Sequence, residues 1–243
     1  MTIGICDYGI GGIGLYKLLR AKTTADIVYF SDAGYTPYGK VSEVELSKRV
    51  STVIEYFNSL GVQYIAVACN AASTVIPKDK YITGIIEHGV RMVSKIRPQE
   101  IGIVGGYRTI ESLAYKNQFE NLGIPTTQSV AQQLSIRIEN GDLDSAELDL
   151  DIKTIFESLR SKDHILLACT HYPVVANRIS EYVPNAKLLD PVSEMEQWIY
   201  ANWPTLEGTS STRWITTGDT NQMKNAAHLA FDVTLNEIEQ ISL

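Results

Sequence analysis

The chain has 243 residues, of which 44% are hydrophobic and 20% are charged, and its formal net charge is -7. This length suits one large domain or two small ones, and the composition is ordinary for a globular protein. The acidic balance argues against a nucleic-acid partner, because phosphate binding needs a basic face. No apolar run is long enough to span a membrane, and the N-terminus lacks the basic lead-in of a signal peptide. We therefore expect a cytoplasmic protein.

Three cysteines are present, Cys6, Cys69 and Cys169. None is part of a Cys-x-x-Cys pair, which argues against a zinc ribbon, a dithiol redox centre or a secreted disulfide framework. Free thiols are the simplest interpretation, and they are usual in the cytoplasm.

Short β-rich runs alternate with helical patterns along most of the chain. The runs predict strands at 3–6, 27–31, 62–68, 82–86, 101–105, 125–130, 164–168, 186–189 and 213–216. The helical patterns predict helices near 11–21, 42–60, 89–96, 109–122, 145–161, 174–182, 192–202 and 221–230. Such alternation predicts an α/β fold of mainly parallel sheets flanked by helices. Ligands of such sheets bind beyond the carboxyl ends of the strands, which is where Asp7, Asp32, Cys69 and Cys169 would lie.

Two similar apolar runs end in cysteine, one in each part of the chain. Tyr64-Ile-Ala-Val-Ala-Cys69 matches His164-Ile-Leu-Leu-Ala-Cys169, and Ile3-Gly-Ile5 matches Ile101-Gly-Ile103 at nearly the same offset. This repeat predicts two pseudo-symmetric α/β domains with the active site between them. A helical pattern is interrupted at Arg97-Pro98. We therefore place the first domain at 1–97 plus 208–243 and the second at 98–207.

The repeat would place Cys69 and Cys169 on facing sides of one cleft. Removing a proton from a carbon atom and returning it with inversion of configuration requires one acid/base group on each face of that carbon. Each cysteine ends a strand and precedes a polar turn, where a helix N-terminus would favour the thiolate. An unperturbed thiol, with a pKa near ~8.5, is mostly protonated at neutral pH, so a thiol base needs a neighbouring group. The candidates are Asp7, Glu139 and His171. Cys6 lies inside a strand without polar neighbours, and we interpret it as structural.

Several other groups are candidates for holding an anionic substrate. Ser73 and Thr170 follow the two cysteines, where they would either bind a carboxylate or cap a helix. Pro37-Tyr38-Gly39 is typical of a turn with an exposed backbone, whose N–H groups can hold an anion.

Two further interpretations of these motifs compete with proton transfer. Gly9-Ile-Gly11-Gly-Ile-Gly14 fits the dinucleotide-binding pattern, and Asp32 ends the next strand. However, Asp7 stands at the entry to this turn and would repel a pyrophosphate, which favours a glycine turn that admits a small ligand. A zinc site built from the two later cysteines and His171 would have only three ligands.

A set of short motifs occurs in order along nearly the whole chain. They are Asp7-Tyr8-Gly9-Ile-Gly11-Gly12, Asp32 with Pro37-Tyr38-Gly39, Ala68-Cys69-Asn70-Ala71-Ala-Ser73, Gly84-Ile-Ile-Glu87, Cys169-Thr170-His171-Tyr172-Pro173 and Thr217-Gly218-Asp219. Each motif is weak alone, but the ordered set resembles the cofactor-independent glutamate racemases of the aspartate/glutamate racemase superfamily. The resemblance implies an isomerase that interconverts L- and D-glutamate and supplies D-glutamate for peptidoglycan and hence for cell-wall biogenesis and cell shape. It implies neither pyridoxal phosphate nor a metal. The expected partner is a small acidic amino acid, with no nucleic acid and no membrane, and a homodimer is left open.

The resemblance also implies roles for individual residues. Cys69 and Cys169 would be the two acid/base thiols. Asp7 would assist the first thiol, while His171 and Glu139 would assist the second. The implied substrate-binding residues are Tyr8, Pro37, Tyr38, Gly39, Asn70, Ala71, Ser73 and Thr170.

Two positions depart from the family pattern. Tyr8 stands where the family has a small serine, and Ala71 stands where it has a threonine. A lost hydroxyl contact weakens binding by roughly 1 kcal/mol. The thiol pair is intact, so the departures concern the substrate. The alternatives are another acidic substrate, such as aspartate, a hydantoin or a cis-diacid, and a weakly catalytic paralogue that binds an acidic ligand.

Overall fold

The computed structural model describes residues 1–204 and 206–243, in which the strands form two sheets. The first sheet has six strands in the order β10-β9-β2-β1-β3-β4, and the second has four in the order β6-β5-β7-β8. All neighbouring strands within these ranges run parallel. The strands are β1 (Thr2–Asp7), β2 (Asp26–Ser31), β3 (Tyr64–Val67), β4 (Ile82–Gly84), β5 (Ile101–Gly105), β6 (Thr126–Val130), β7 (His164–Ala168), β8 (Lys187–Leu189), β9 (Thr212–Thr216) and β10 (Ile238–Gln240).

Helices cover the faces of both sheets, as parallel strands require. They are α1 (Ile13–Arg20), α2 (Glu43–Ser59), α3 (Asn70–Ser73), α4 (Ile85–Ile96), α5 (Tyr107–Glu111), α6 (Ala114–Asn121), α7 (Gln132–Glu139), α8 (Ala146–Phe156), α9 (Ala176–Tyr182), α10 (Val192–Asn202) and α11 (Thr220–Phe231). The predicted α/β class, with parallel sheets flanked by helices, is confirmed. No helix in the described ranges combines the length and the apolar character needed to cross a bilayer.

The predicted repeat is visible in the strand order. The first sheet contains β2-β1-β3-β4, and the second repeats this arrangement as β6-β5-β7-β8. In each, the strand that leads to a cysteine pairs with the strand that carries an Ile-Gly-Ile run. We call the parts of the chain built on the two sheets the first half and the second half.

The C-terminal strands extend the first half. β9 pairs with β2, and β10 pairs with β9, so the chain returns to the sheet on which it began. The apolar side of α10 packs into the core of the first half through Met195 and Ile199, although the predicted boundary at residue 207 assigns this helix to the second. The boundaries of the two domains stay a prediction.

The clearest helix prediction was that for α2. Ser42 and Glu45 form the expected capping box, and Gly61 ends the segment with a φ of +74°. Val53 and Phe57 are buried on its inner face.

Some elements differ from the sequence predictions. The helix predicted at 109–122 is divided into α5 and α6, because Leu113 adopts a left-handed conformation with φ 56°. The short elements α3 and β10 were not predicted, and neither was α7. Helix α7 has no side-chain cap, and its only buried residues are Leu134 and Ile138, so its sequence signal spans little more than one turn.

Candidate active site

A cavity of ≈ 350 Å³ lies between the two halves, at the carboxyl ends of strands from both sheets. Every predicted site residue except Ser73 lines it. These residues are Asp7, Tyr8, Pro37, Tyr38, Gly39, Cys69, Asn70, Ala71, Glu139, Cys169, Thr170 and His171. Corresponding strand ends therefore deliver both thiols to one space, Cys69 after β3 and Cys169 after β7.

The first thiol is deeply buried beside a carboxyl group. Cys69 is 7% exposed. Burial, and then the neighbouring Asp7 carboxylate, raise the pKa of the Cys69 thiol well above its ordinary value. Both effects disfavour the thiolate. This thiol is therefore protonated at neutral pH and suited to donating a proton.

The second thiol has a different set of partners. Cys169 Sγ lies 3.7 Å from His171 Nδ1, and His171 Nε2 lies 2.6 Å from Glu139 Oε2. Burial lowers the pKa of His171, but the contacts with Cys169 and Glu139 outweigh it, and the pKa lies well above its ordinary value. An imidazolium between the two groups places a positive charge and an N–H group beside the Cys169 sulfur.

Asp7 joins the two halves at the floor of the cavity. This carboxyl group is 1% exposed; its Oδ2 accepts a hydrogen bond from Thr170 Oγ1 at 2.9 Å, and its Oδ1 accepts one from the Gly9 amide at 3.4 Å. Burial raises the pKa of Asp7, against the lowering effects of His171 and of the Thr170 hydroxyl. A carboxyl group of this kind can exchange a proton nearer to neutral pH than a solvated one can.

The glycine turn after β1 is packed against the second half. The amide of Ile10 donates to Glu139 Oε2 at 3.2 Å. A Cβ at Gly9 would lie 2.4 Å from Glu139 Oε2, and one at Gly11 would lie 2.2 Å from Thr170 Oγ1. The glycines thus permit the close approach of catalytic candidates from the other half.

Asp32, the acidic residue of the dinucleotide-like pattern, is bound by other side chains of the protein. Asp32 does end its strand as predicted, but it is fully buried in an ion pair with Arg49, whose Nε lies 2.8 Å from Asp32 Oδ2. It also accepts hydrogen bonds from the Tyr38 hydroxyl at 2.7 Å and from the Thr217 hydroxyl at 2.9 Å. Asp32 therefore supports the cavity wall from behind rather than facing a ligand.

No cluster of three or more His, Cys, Asp or Glu side chains that could hold a metal ion occurs within residues 1–204 and 206–243. The three potential zinc ligands, Cys69, Cys169 and His171, all line the cavity. The imidazole of His171, however, already contacts Cys169 and Glu139.

Tyrosine rings form part of the first-half wall. The Tyr8 ring packs against Tyr38 with centroids 5.2 Å apart, and its hydroxyl donates to the Tyr35 carbonyl at 3.3 Å. Burial raises the pKa of Tyr8 to about 12. The Tyr38 hydroxyl is engaged by Asp32. Both phenols therefore face the cavity mainly through their rings.

The prediction that Ser73 binds substrate is not supported by its position. Ser73 does not line the cavity; its hydroxyl donates to the Val67 carbonyl at 3.1 Å and accepts from the Ile85 amide at 3.1 Å. These bonds tie α3 to the end of β3 and the start of α4, so the hydroxyl has a structural role.

The sequence analysis missed several residues that line the cavity. Gly106 and Thr109 follow β5, which corresponds to β1 in the repeat, so the rule for strand ends could have identified them. The unpredicted helix α7 contributes three more. The full set is Lys40, Gly106, Thr109, Gln132, Ser135, Ile136, Asn140 and Ala168.

Comparison with known proteins agrees with this geometry. A family model for Asp/Glu/hydantoin racemases matches residues 16–195. The glutamate racemase of Persephonella marina is 27% identical, covering 98% of this chain and 97% of that protein. The glutamate racemase of Fusobacterium nucleatum is 31% identical, covering 79% of this chain and 77% of that protein.

Solved structures show the same fold. The glutamate racemase of Aquifex pyrophilus superposes with a TM-score of 0.81 at 26% identity, covering 98% of each chain. The Francisella tularensis glutamate racemase, crystallised with D-glutamate, gives a TM-score of 0.90 at 24% identity, covering 99% of this chain and 97% of that one. The family model spans well over half of the chain, and the relatives are aligned over most of their length. The chain therefore belongs to the Asp/Glu/hydantoin racemase family of isomerases.

Proposed function

We propose that the protein interconverts L- and D-glutamate without a cofactor, by two-base proton transfer between Cys69 and Cys169. The observation that carries the proposal is the pair of thiols that matching strands of the two halves bring to one cavity. The names of the relatives support glutamate as the substrate. The resemblance to bacterial glutamate racemases further suggests that the D-glutamate enters peptidoglycan synthesis.

The unequal surroundings of the thiols suggest their roles. We assign the role of first base to Cys169, which contacts His171, and the role of first acid to Cys69, whose pKa is raised by burial beside Asp7. In one direction the Cys169 thiolate takes the Cα proton, and the electron pair of the C–H bond moves onto the substrate carboxylate. Cys69 then gives its proton to the opposite face of Cα. The reverse direction exchanges these roles.

Asp7 assists the Cys69 thiol by proton exchange. When Cys69 has lost its proton, a charged Asp7 would destabilise the new thiolate. In the direction in which Cys69 acts as the base, Asp7, whose pKa is raised by burial, takes the proton of the Cys69 thiol, so the thiolate forms beside a neutral carboxyl group and that repulsion is removed. On the other side, the contacts with Cys169 and Glu139 raise the pKa of His171, so a positive imidazolium lies beside the second thiol.

Donors for the substrate carboxylates are available around the cavity. Asn70 is 4% exposed, and its Nδ2 has no hydrogen-bond partner in the described ranges. The backbone of Tyr38 and Gly39 lies on the same lining. Hydrogen bonds from such donors to a carboxylate are charge-assisted, so they can hold an anionic guest although the chain is acidic and two carboxyl groups line the cavity.

Isotope exchange tests the proposal directly. L-glutamate incubated with the pure protein in deuterated water should gain deuterium at Cα and yield the D-isomer. The absence of both would count decisively against it. If ligand-dependent stabilisation remained without exchange, the protein would instead be a weakly catalytic acidic-ligand-binding paralogue.

A second candidate function retains the thiols and changes the substrate. It is favoured by Tyr8 and Ala71, which line the cavity where the family has serine and threonine. A panel of aspartate, a hydantoin and a cis-diacid, assayed beside glutamate, distinguishes the two candidates. If another acid is preferred, Tyr8→Ser combined with Ala71→Thr should raise glutamate turnover, by about fivefold for one regained hydroxyl contact. If glutamate is the native substrate, turnover should be unchanged or lower.

A further inference from the structure

We infer that Tyr115 is a positioning residue, whose hydroxyl orients the side-chain amide of Asn70 toward the substrate. This inference rests on the proposed function, since it concerns how the same cavity holds a carboxylate. Tyr115 itself does not line the cavity.

In this contact the Tyr115 hydroxyl is the donor and the amide oxygen of Asn70 is the acceptor. The Tyr115 hydroxyl lies 2.8 Å from Asn70 Oδ1. The tyrosine is 1% exposed, and burial raises its pKa, so the phenol stays protonated and can donate. Donation to Oδ1 leaves the NH₂ group of Asn70 on the opposite side of the amide.

That NH₂ group is the part of Asn70 available to a ligand. Asn70 lines the cavity, and its buried Nδ2 has no partner in the described ranges. A buried donor without an acceptor is costly, and such groups in proteins commonly await a ligand or water. A carboxylate is the acceptor that the proposed reaction supplies. A flipped amide would instead present Oδ1, which repels an anion.

Packing keeps the tyrosine ring in place. A Cβ at Gly89 would lie 2.6 Å from Tyr115 Cε1 and 2.7 Å from its hydroxyl oxygen, so the ring occupies the space that any other residue would fill. Phe119 stacks on the other part of the ring with centroids 5.8 Å apart. A ring held in this way has little freedom to lose when it forms the hydrogen bond.

The bond also crosses between the halves. Asn70 begins α3 at the end of a first-half strand, whereas Tyr115 lies on α6 and packs with Ile103 and Leu166 of the second sheet. The amide is therefore oriented only when the two halves have this arrangement. Substrate binding in the first half thus depends on a side chain of the second.

A double-mutant cycle tests the inference. We expect Tyr115→Phe, which retains the ring, to raise KM for glutamate about fivefold, with a smaller change in kcat. Asn70→Ala should raise KM at least as much, and the double variant should be no worse than Asn70→Ala alone, because the two residues act as one unit. Tyr16→Phe is the matched control: it removes a hydroxyl that lies 3.4 Å from Thr212 Oγ1 and does not line the cavity.

The possible results distinguish a failure of this inference from a failure of the proposed function. If the wild-type protein racemises glutamate but Tyr115→Phe leaves KM within twofold, or if the effects of the two substitutions on KM add, the inference is wrong while the proposed function stands. A fall in melting temperature with unchanged KM would show a merely structural hydroxyl and would also overturn it. If the wild-type protein neither racemises nor binds glutamate, the proposed function fails and the inference falls with it.

Discussion

The thiol side chains are the residues on which the proposed chemistry depends. Replacing a thiol with a hydroxyl removes a group that can ionise near neutral pH, and positioned acid/base groups contribute on the order of 10²–10⁴-fold to rate. We therefore expect Cys69→Ser and Cys169→Ser each to reduce racemisation by at least about 100-fold. Circular dichroism of the glutamate solution follows the reaction.

The third cysteine is the control for this experiment. Cys6 is buried within β1 and does not line the cavity, so Cys6→Ser should keep racemisation within a few-fold of wild type. If either cavity variant retained full activity, that thiol would have no place in the mechanism.

Asp7 illustrates a conflict between function and stability at one residue. Burial raises its pKa, so the folded state holds this proton more tightly than the unfolded state does. Above the unfolded pKa of about 3.9, ionisation of Asp7 therefore costs folding free energy, and the cost grows until pH passes the raised pKa. We expect Asp7→Asn to be more stable than wild type at pH 7, by on the order of 1 kcal/mol, and less active.

The pH dependence distinguishes this cause from a general packing effect. The advantage of Asp7→Asn should shrink as pH falls through the raised pKa and vanish below about 3.9, where Asp7 is protonated in both states. Urea unfolding at several pH values measures it. The asparagine oxygen can still accept from the Thr170 hydroxyl, so the contact between the halves is kept. A variant less stable than wild type across the range would contradict the expected sign.

Several predicted site residues that line the cavity share one property, their position at strand ends. Cys69, Cys169, Asp7 and Thr170 follow strands whose apolar runs are unmistakable, and parallel sheets gather such residues at one edge. Ser73, also predicted to bind substrate, lies outside the cavity lining, because its hydroxyl is engaged by the Val67 carbonyl and the Ile85 amide, which only packing brings to it. Local sequence gives no information about such contacts.

Among the elements, the glycine turn between β1 and α1 allows the most specific prediction. A Cβ at Gly11 would lie 2.2 Å from Thr170 Oγ1 and 2.9 Å from His171 Nδ1, so Gly11→Ala must displace groups in the cavity. We expect a loss of about 1–3 kcal/mol in the free energy of unfolding, as for overpacked sites, and a fall in kcat/KM. Thermal unfolding and the racemisation assay measure the two effects.

Gly14 in the same segment is the matched control. A Cβ there would meet only Phe231 Cε1 at 3.8 Å, and the residue already lies in the helix. Gly14→Ala should therefore be neutral or up to about 1 kcal/mol stabilising, with unchanged activity. Equal effects of the two substitutions would mean that close approach to the second half is not what Gly11 provides.

Elements with long periodic signals were predictable, whereas short ones were not. Helix α2 has several apolar turns, a capping box and a terminal glycine. Helix α7 has only two buried positions, although it carries Glu139 and much of the cavity wall. The division between α5 and α6 depends on a left-handed Leu113, a conformation that leucine rarely adopts and that no local pattern predicts.

At the scale of the whole molecule, the sequence repeat indicated two similar units but not how they meet. Their contact includes hydrogen bonds from Thr170 to Asp7, from the Ile10 amide to Glu139, and from Arg108 to the Val41 carbonyl at 2.9 Å. Each of these joins residues that are far apart in the chain. Such pairs carry no periodicity, so a single sequence does not reveal them.

These contacts imply that ligand binding and unfolding involve both halves together. A ligand at 100 times its Kd stabilises the folded state by about 2.7 kcal/mol. For a chain of this size, that corresponds to a rise in Tm of roughly 5–10 °C. We expect D-glutamate to move a single calorimetric transition upward by this amount, while L-lysine, a basic amino acid, moves it little. Two transitions, of which only one responds to D-glutamate, would instead place the binding site within one half and contradict a cavity shared between them.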